Sequence, residues 1–514
     1  MQITLYNTLT RSKDQFVAID EENKKVKLYT CGPTVYGDPH IGNMRAYMFV
    51  DLLKSVLTHI WWYEVNSVMN ITDVWHLTDD GDQWEDKMEK GAKRENKTVW
   101  QVARMYEENF KKYSNELQIT PPATYTRATE YMMQQIQMVQ TLTKKWFTYI
   151  IPGDGVYMDT SKVDDYGKLA QLDFEGMNSD HRVDGAKIDS NKKNNLSDFA
   201  LWKYSREWED RSMERVYTWD RAWYMIVQDD FDLERFVSQS DYQWDLQVVK
   251  KSQLTEQELL SHGFPGWHIE CSAMASELLG DHIDIHTGWV DHISVHHTNE
   301  IAQAECSLWF TKWVNRWMHG QFLQIWGSKV SKSKWDDLSV AGIIAKGYDP
   351  LDLRYFYFTG HYRSFLDFTR EAMDAAKSSR ENLIKKINKS LKWDKILQTW
   401  DLYNKISTLL ADDLDIVSAF SEINSVLATP SEQDIHDILR LDDDVFKLWL
   451  KQWVKSLLQK SQQQAPKDIE DLAQQRIQAK SNKNYELADS LRDKISDAGW
   501  IVKDTAGGFE LEMI

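Results

Sequence analysis

Five histidines crowd into "DHIDIHTGWVDHISVHHTNE", residues 281–300, at positions 282, 286, 292, 296 and 297. In the run that follows, Ile301, Ala304 and Leu308 recur at helical spacing, which puts His296 and Glu300, at i and i+4, on one helix face. Such a pair fits an ordinary surface contact as well as a shared ion. Two lone cysteines tilt the balance: Cys31 closes the strand-like "KVKLYTC", and Cys271 sits in "PGWHIECSA". Two thiolates, one imidazole and one carboxylate make a tetrahedral zinc set. Cys306 reads as a small buried hydrophobe, and His282, His286, His292 and His297 as residues for sheet-edge packing and hydrogen bonding.

A second chemistry-bearing group is "KVSKS", Lys329 to Ser333. Two lysines three apart beside hydroxyls can hold a polyphosphate as mobile point charges, or can be a solvated basic loop. The choice depends on "HIGN", His40 to Asn43, which opens a helix directly after a Gly/Pro turn. A helix start offers free backbone N–H groups to phosphate.

The elements that must position these groups follow from the pattern. Residues 25–31 alternate as a strand, "GPTVYGDP" turns the chain, and the helical run from His40 is followed by "YEVNSVMNIT", alternating again. Strand, helix and strand in this order imply a parallel sheet with the helix start at its carboxyl edge. From about residue 370 the chain turns to long charged amphipathic helices with almost no glycine until "DTAGG". Residues 203–262 are polar and speckled with aromatics, without a period. At 514 residues, three or four domains are expected. The acidic balance, 61 Lys+Arg against 79 Asp+Glu, leaves room for a local basic face that meets nucleic acid. Three cysteines argue for a reducing compartment rather than a disulfide framework. With no apolar run of membrane-spanning length and no secretory leader, the expected location is cytoplasmic, with no membrane partner.

"YTCGPTVYGDPHIGN", "NITD", "YGKLA", "DFALWK", "PGWHIECSA", "HHTNEIAQAE", "WMHG", "KVSKS", "DLRYF" and "GHYRS" run in order to about residue 370. Together they resemble the class I aminoacyl-tRNA synthetases, and within them the cysteinyl-tRNA synthetase family. "YELADSLRDKI" and "DTAGG" extend the likeness nearly to the end; the 203–262 stretch is longer than the family's usual segment. The resemblance implies an α/β fold: a Rossmann-type parallel-sheet catalytic domain with an inserted connective region, then a helical bundle and a small C-terminal tRNA-reading module. Expected boundaries are 1–125 and 263–328 for the catalytic halves, 126–262 for the connective region, 329–372 for the KVSKS loop and stem-contact region, 373–465 for the bundle and 466–514 for the last module. It implies that Cys31, Cys271, His296 and Glu300 hold one Zn²⁺, that Gly32, Thr72 and Trp267 contact substrate cysteine, and that His40, Asn43, Asp291, Lys329 and Lys332 serve ATP, with Mg²⁺ accompanying it. Asn43 replaces the usual second histidine and Val330 a methionine, both mild departures. The implied partners are tRNA(Cys), ATP and L-cysteine, on a monomer. Basic residues in "RIQAKSNKNYELADSLRDKI" suit RNA phosphates, or a solvated face. Competing readings are a ligase joining activated cysteine to an amino sugar, which lacks the long C-terminal part, and a non-catalytic RNA-binding paralogue.

Composition adds an oddity. There are 23 Trp and 22 Gly, where average usage gives roughly 36 glycines. Trp62, Trp75, Trp84, Trp146, Trp289 and Trp335 stand where the family has glycine, whereas Trp202, Trp267 and Trp317 match family tryptophans. Glycine near a nucleotide pocket supplies positive φ or close backbone approach, and an indole supplies neither. The expectation is that the six are glycine in the cell, through a UGA codon read as glycine by the source; the alternative is a tryptophan-rich lineage.

Overall fold

A computed structural model describes residues 2–73, 91, 94–171, 192–204, 216–218, 224–227, 247–250, 262–308, 312–324, 338–391, 400–462, 465–505 and 508–513. Lys329, Lys332, Trp75, Trp84, Trp335 and most of the 203–262 stretch lie outside these residues. The chain forms two compact units, residues 1–377 with 404–421, and residues 378–403 with 422–514.

The first unit is built on a five-stranded sheet. Its strands are β1 (Lys25–Thr30), β2 (Glu64–Ile71), β3 (Thr124–Arg127), β4 (Ile283–Trp289) and β5 (Val314–Gly320). They lie in the order β5-β4-β1-β2-β3, and every neighbouring pair is parallel. Chain order reverses between β1 and β4, so the carboxyl ends of these two strands flank the crevice where open α/β sheets bind ligands.

Helices of this unit include α1 (Ile41–Ser55), α2 (Val99–Glu116), α3 (Met132–Lys144), α4 (Trp267–Leu279), α5 (His296–Leu308) and α6 (Pro350–Phe358), of which α1 and α4 pack on the sheet. His40 caps α1, its ring accepting from the Gly42 N–H at 3.0 Å. The cap places the helix start beside the β1 turn, as the sequence predicts. Two turns of apolar spacing understate its burial, because Arg45 and Asp51 are buried as well. The Arg45 guanidinium donates to the carbonyls of Gln321 (3.0 Å), Phe322, His361 (3.1 Å) and Ser364. Arg354 of α6 donates to Asp51 at 2.7 Å, with both side chains wholly enclosed, and to the Leu117 and Gln118 carbonyls. The residues flanking 325–337 are thus tied to α1: the earlier flank by Arg45, the later by Ile41 N–H to Leu338 O (2.9 Å) and Val340 N–H to Pro39 O (3.1 Å).

Between α3 and α4 the chain builds a seven-stranded sheet. Residues 216–218, 224–227 and 247–250 contribute strands to it. These segments of three or four residues are too short to show a period in sequence.

In the second unit, α7 (Lys467–Ser481) and α8 (Tyr485–Asp497) precede an antiparallel hairpin, Trp500–Thr505 with Gly508–Met513. Ile469, Ala473, Ile495, Trp500 and Val502 form its core. No helix among the described residues is long and apolar enough to cross a membrane.

Candidate active site

Cys31 follows β1 directly, its N–H donating to the Thr287 carbonyl of β4 at 3.1 Å. Cys271 lies in α4, and His296 and Glu300 occupy the first two turns of α5. One donor atom from each of the four lies within 4.8 Å of the others, and all four residues are buried. The two sulfurs are 3.9 Å apart. Two ligands at a Zn–S distance of about 2.3 Å in tetrahedral geometry would be roughly 3.8 Å apart. His296 Nε2 lies 2.8 Å from Glu300 Oε1, and that oxygen is 3.8 Å from Cys31 Sγ. The spacing of the four donors fits a metal ion of zinc's preferences.

The electrostatics point the same way. Burial and then the Cys271 sulfur push the Cys31 thiol well above its usual range. Burial also raises Cys271, but hydrogen bonding from Cys31 and the nearby His296 outweigh it and bring this thiol to about 6. Glu300 is held well below the carboxylate range despite burial, by His286 and His296. His296, despite burial, is pushed up to about 10 by Glu300 and Cys271. Acidic groups outnumber the imidazolium, in a place where unpaired charge is costly. A bound cation would offset them.

Cys31, Cys271 and His296 of the cluster line a cleft of about 430 Å³, together with Gly32, His40, Asn43, Trp267, Trp289 and Asp291. The Gly32 N–H donates to Asn70 Oδ1 at 2.7 Å, and a Cβ on Gly32 would meet the Asn70 carbonyl oxygen at 1.7 Å. Only glycine fits there. Thr72, after β2, donates to Glu270 Oε2 at 2.9 Å. Trp267 stacks on the His296 ring, centroids 4.0 Å apart. Asp291 stands in the 3₁₀ turn after β4. Eight of the twelve residues singled out from sequence line this cleft; Glu300 joins them through the cluster, Thr72 through backbone bonds to Pro33 and Val35, and Lys329 and Lys332 lie outside the described residues.

The fold and the chain's relatives agree. The model of the family described as tRNA synthetases class I (C) catalytic domain matches residues 17–227 and 231–378. A cysteine–tRNA ligase of Treponema denticola is 34% identical over 535 residues, covering 99% of both chains. A cysteine–tRNA ligase 1 of Burkholderia lata is 36% identical over 514 residues, covering 99% of this chain and 97% of its own. The chain belongs to the cysteine–tRNA ligase family. Among solved structures, Mycobacterium tuberculosis methionyl-tRNA synthetase bound by methionyl-adenylate superposes with a TM-score of 0.52 at 12% identity, covering 86% of this chain and 95% of that one. At that identity the likeness is one of fold. The ligase relatives match across the C-terminal third too, which the amino-sugar reading does not accommodate.

Several residues of this ligase were not legible as site residues. His286 and His297 make the hydrogen bonds expected of them, but to the cluster itself: His286 Nε2 lies 2.8 Å from Glu300 Oε2, and His297 Nε2 lies 3.2 Å from Cys31 Sγ. With Cys31 and Glu300 they make an alternative donor set. That set has one thiolate instead of two, and both rings pack on Trp317 at 4.6 and 4.9 Å. The chain continues through His319, 2.8 Å from His297 Nδ1, to Thr8. His268 approaches His296 Nδ1 at 3.0 Å. Glu270 is wholly buried, and burial, then Cys271, push its carboxyl well above the usual range. Its only sequence signal is an acid next to a cysteine.

Proposed function

We propose that the protein activates L-cysteine with ATP to cysteinyl-adenylate, releasing pyrophosphate, and transfers the cysteinyl group to the 3′ end of tRNA(Cys). The observation that carries this is the Cys31–Cys271–His296–Glu300 cluster, three of whose residues line a cleft that the capped start of α1 also lines.

In the first step the amino-acid carboxylate oxygen bonds to the α-phosphorus and the α–β bridging P–O bond breaks. No side-chain nucleophile is needed, so positioning and charge stabilisation supply the rate. His40, Asn43 and the N–H groups at the head of α1 hold the phosphates, Asp291 orients the nucleoside, and Lys329 and Lys332 neutralise the departing pyrophosphate. Gly32, Thr72 and Trp267 seat the amino acid; Glu270 fixes the Thr72 hydroxyl, and Trp267 covers His296. In the second step a terminal ribose hydroxyl attacks the carbonyl carbon, loses its proton, and AMP leaves.

Cys31, Cys271, His296 and Glu300 would hold a zinc ion, which when bound would lower a thiol's pKa and so favour cysteine over serine. That difference exceeds what one methylene gives, and makes separate editing unnecessary. Mg²⁺ travels with ATP. The C-terminal unit reads the tRNA. Arg476 and Lys480 both bond Asp504 there, so they tie α7 to the hairpin, and Lys483 and Lys494 are the better candidates for phosphate. We read the protein as a cytoplasmic monomer.

Cysteine-dependent ATP–pyrophosphate exchange tests the proposal. Exchange that needs cysteine, is refused with serine, and falls on zinc chelation is the expected result. Absence of exchange from zinc-loaded protein favours the non-catalytic reading.

A further inference from the structure

The tryptophans divide sharply by environment. Trp202, Trp313 and Trp317 are among the largest fully buried side chains, and Trp317 stacks on His286. Trp62 and Trp146 are 77% and 80% exposed. Their backbones are left-handed, with φ of 62° and 66°, and Trp449 is the same at 58°. Three of the thirteen non-glycine positive-φ residues among those described are therefore tryptophan, although tryptophan makes up only 23 of the 514 residues of the whole chain. Bulky aromatic side chains are poorly suited to that region, which Gly, Asn and Asp favour.

The local hydrogen bonds say which residue these places are made for. After α3, Trp146 N–H donates to Thr143 O at 3.0 Å, and Phe147 N–H to Leu142 O at 3.0 Å. This is the helix ending whose left-handed residue is usually glycine, with an apolar residue after it. Gly347 makes the same bond to Ile344 O at 2.9 Å with φ of 87°, and Gly499 to Ser496 O at 2.9 Å with φ of 83°. Trp62 stands just past the π-helical end of the α1 run, between Trp61, whose N–H reaches Val56 O, and Tyr63, whose N–H reaches Leu57 O. Trp449 precedes the helix Leu450–Gln462, between Leu448 and Leu450 N–H groups that both bond the Asp442 carboxylate. That ending is filled by Gly347 and Gly499, by Gln118 and Lys483, and at 146 by an indole, the bulkiest side chain to occupy it.

We infer that residues 62, 146 and 449 are glycine in the protein its source makes, through a UGA codon decoded there as glycine and written as tryptophan under a table that reads it so. Buried Trp202 and Trp317 are genuine tryptophan. Trp289 has φ of −91° and ψ of 160°, an extended conformation open to any residue, so its backbone does not require glycine, contrary to the expectation from its place in the family. It stands in the cleft wall, where a glycine would widen the opening above the cluster.

Peptide mass analysis of the protein purified from its source tests this. The tryptic peptide 146–162 is expected to begin with glycine, peptide 448–451 to carry glycine at 449, and peptide 55–87 to carry it at 62. The peptides containing Trp202 and Trp317 are expected to carry the full indole mass. Tryptophan at 62 and 146 overturns the inference, as does glycine at 202 or 317. A second arm concerns the physics alone: Trp62→Gly and Trp146→Gly in the chain as written are expected to raise the unfolding midpoint. An unchanged or lowered midpoint removes the argument from backbone geometry.

Discussion

Two of the places where the first unit encloses charge differ in how that charge is balanced. Arg354 and Asp51 join α6 to α1, and the guanidinium spends its remaining bonds on the Leu117 and Gln118 carbonyls. Cys31, Cys271, His296 and Glu300 are as deeply buried, but there the acids exceed the base and the shifts conflict: one thiol raised, the other lowered to about 6. A structural ion pair is balanced within the protein. A binding site keeps an imbalance that a ligand cancels, and this imbalance, more than burial, separates the two.

That contrast can be broken experimentally. The largest effect is expected from Cys271→Ser, which leaves the fold intact but raises the KM for cysteine by more than the roughly 10–200-fold that one methylene supplies, with little change in the KM for ATP. Steady-state pyrophosphate exchange measures both, and equal losses would remove the zinc cluster from amino-acid selection. Asp51→Asn should behave in the opposite way. It leaves Arg354 charged and buried, costing about 3–5 kcal/mol in chemical denaturation, while zinc content in the folded fraction is unchanged. His286→Ala, which takes away the partner of Glu300 Oε2, is expected to weaken zinc binding by roughly 10–100-fold in a chelator competition, without a comparable loss of stability.

The smallest effect separates a partly exposed network from both. Glu107 sits between Arg127 (2.7 Å) and Lys111. Burial raises its carboxyl, but the two cations outweigh this and hold it below its ordinary 4.5. A depressed folded-state value means the stabilisation is complete above the unfolded carboxylate range and is lost as pH falls through the folded value. Glu107→Gln should cost about 1 kcal/mol at neutral pH and flatten the acid limb of Tm against pH. An unaltered acid limb would mean the network contributes nothing.

The cluster was legible because Cys, His and Glu at fixed spacing carry their chemistry in their identities, wherever the chain folds. His286 was not, since its value comes from facing Glu300 across the junction of β4 and α5. Arg45 and Arg354 were missed for a related reason: a charged residue in a helix reads as surface, and only the packing of α1 under α6 shows each enclosed. The parallel sheet followed from its strand–helix–strand pattern. The short strands at 216–218 and 224–227 did not, because they borrow their definition from neighbours in the connective sheet. Trp62 and Trp146 reverse the usual case, since there the backbone conformation suits the residue in the sequence poorly.

The cluster also has a history within each molecule. Cys31 and Cys271 are separated by 240 positions, and β1 meets β4 only after the whole connective sheet has been made. Until its partners have left the ribosome, the first thiol lacks the enclosure that they give it. Long-range closure of this kind is slow, so the cluster is completed late.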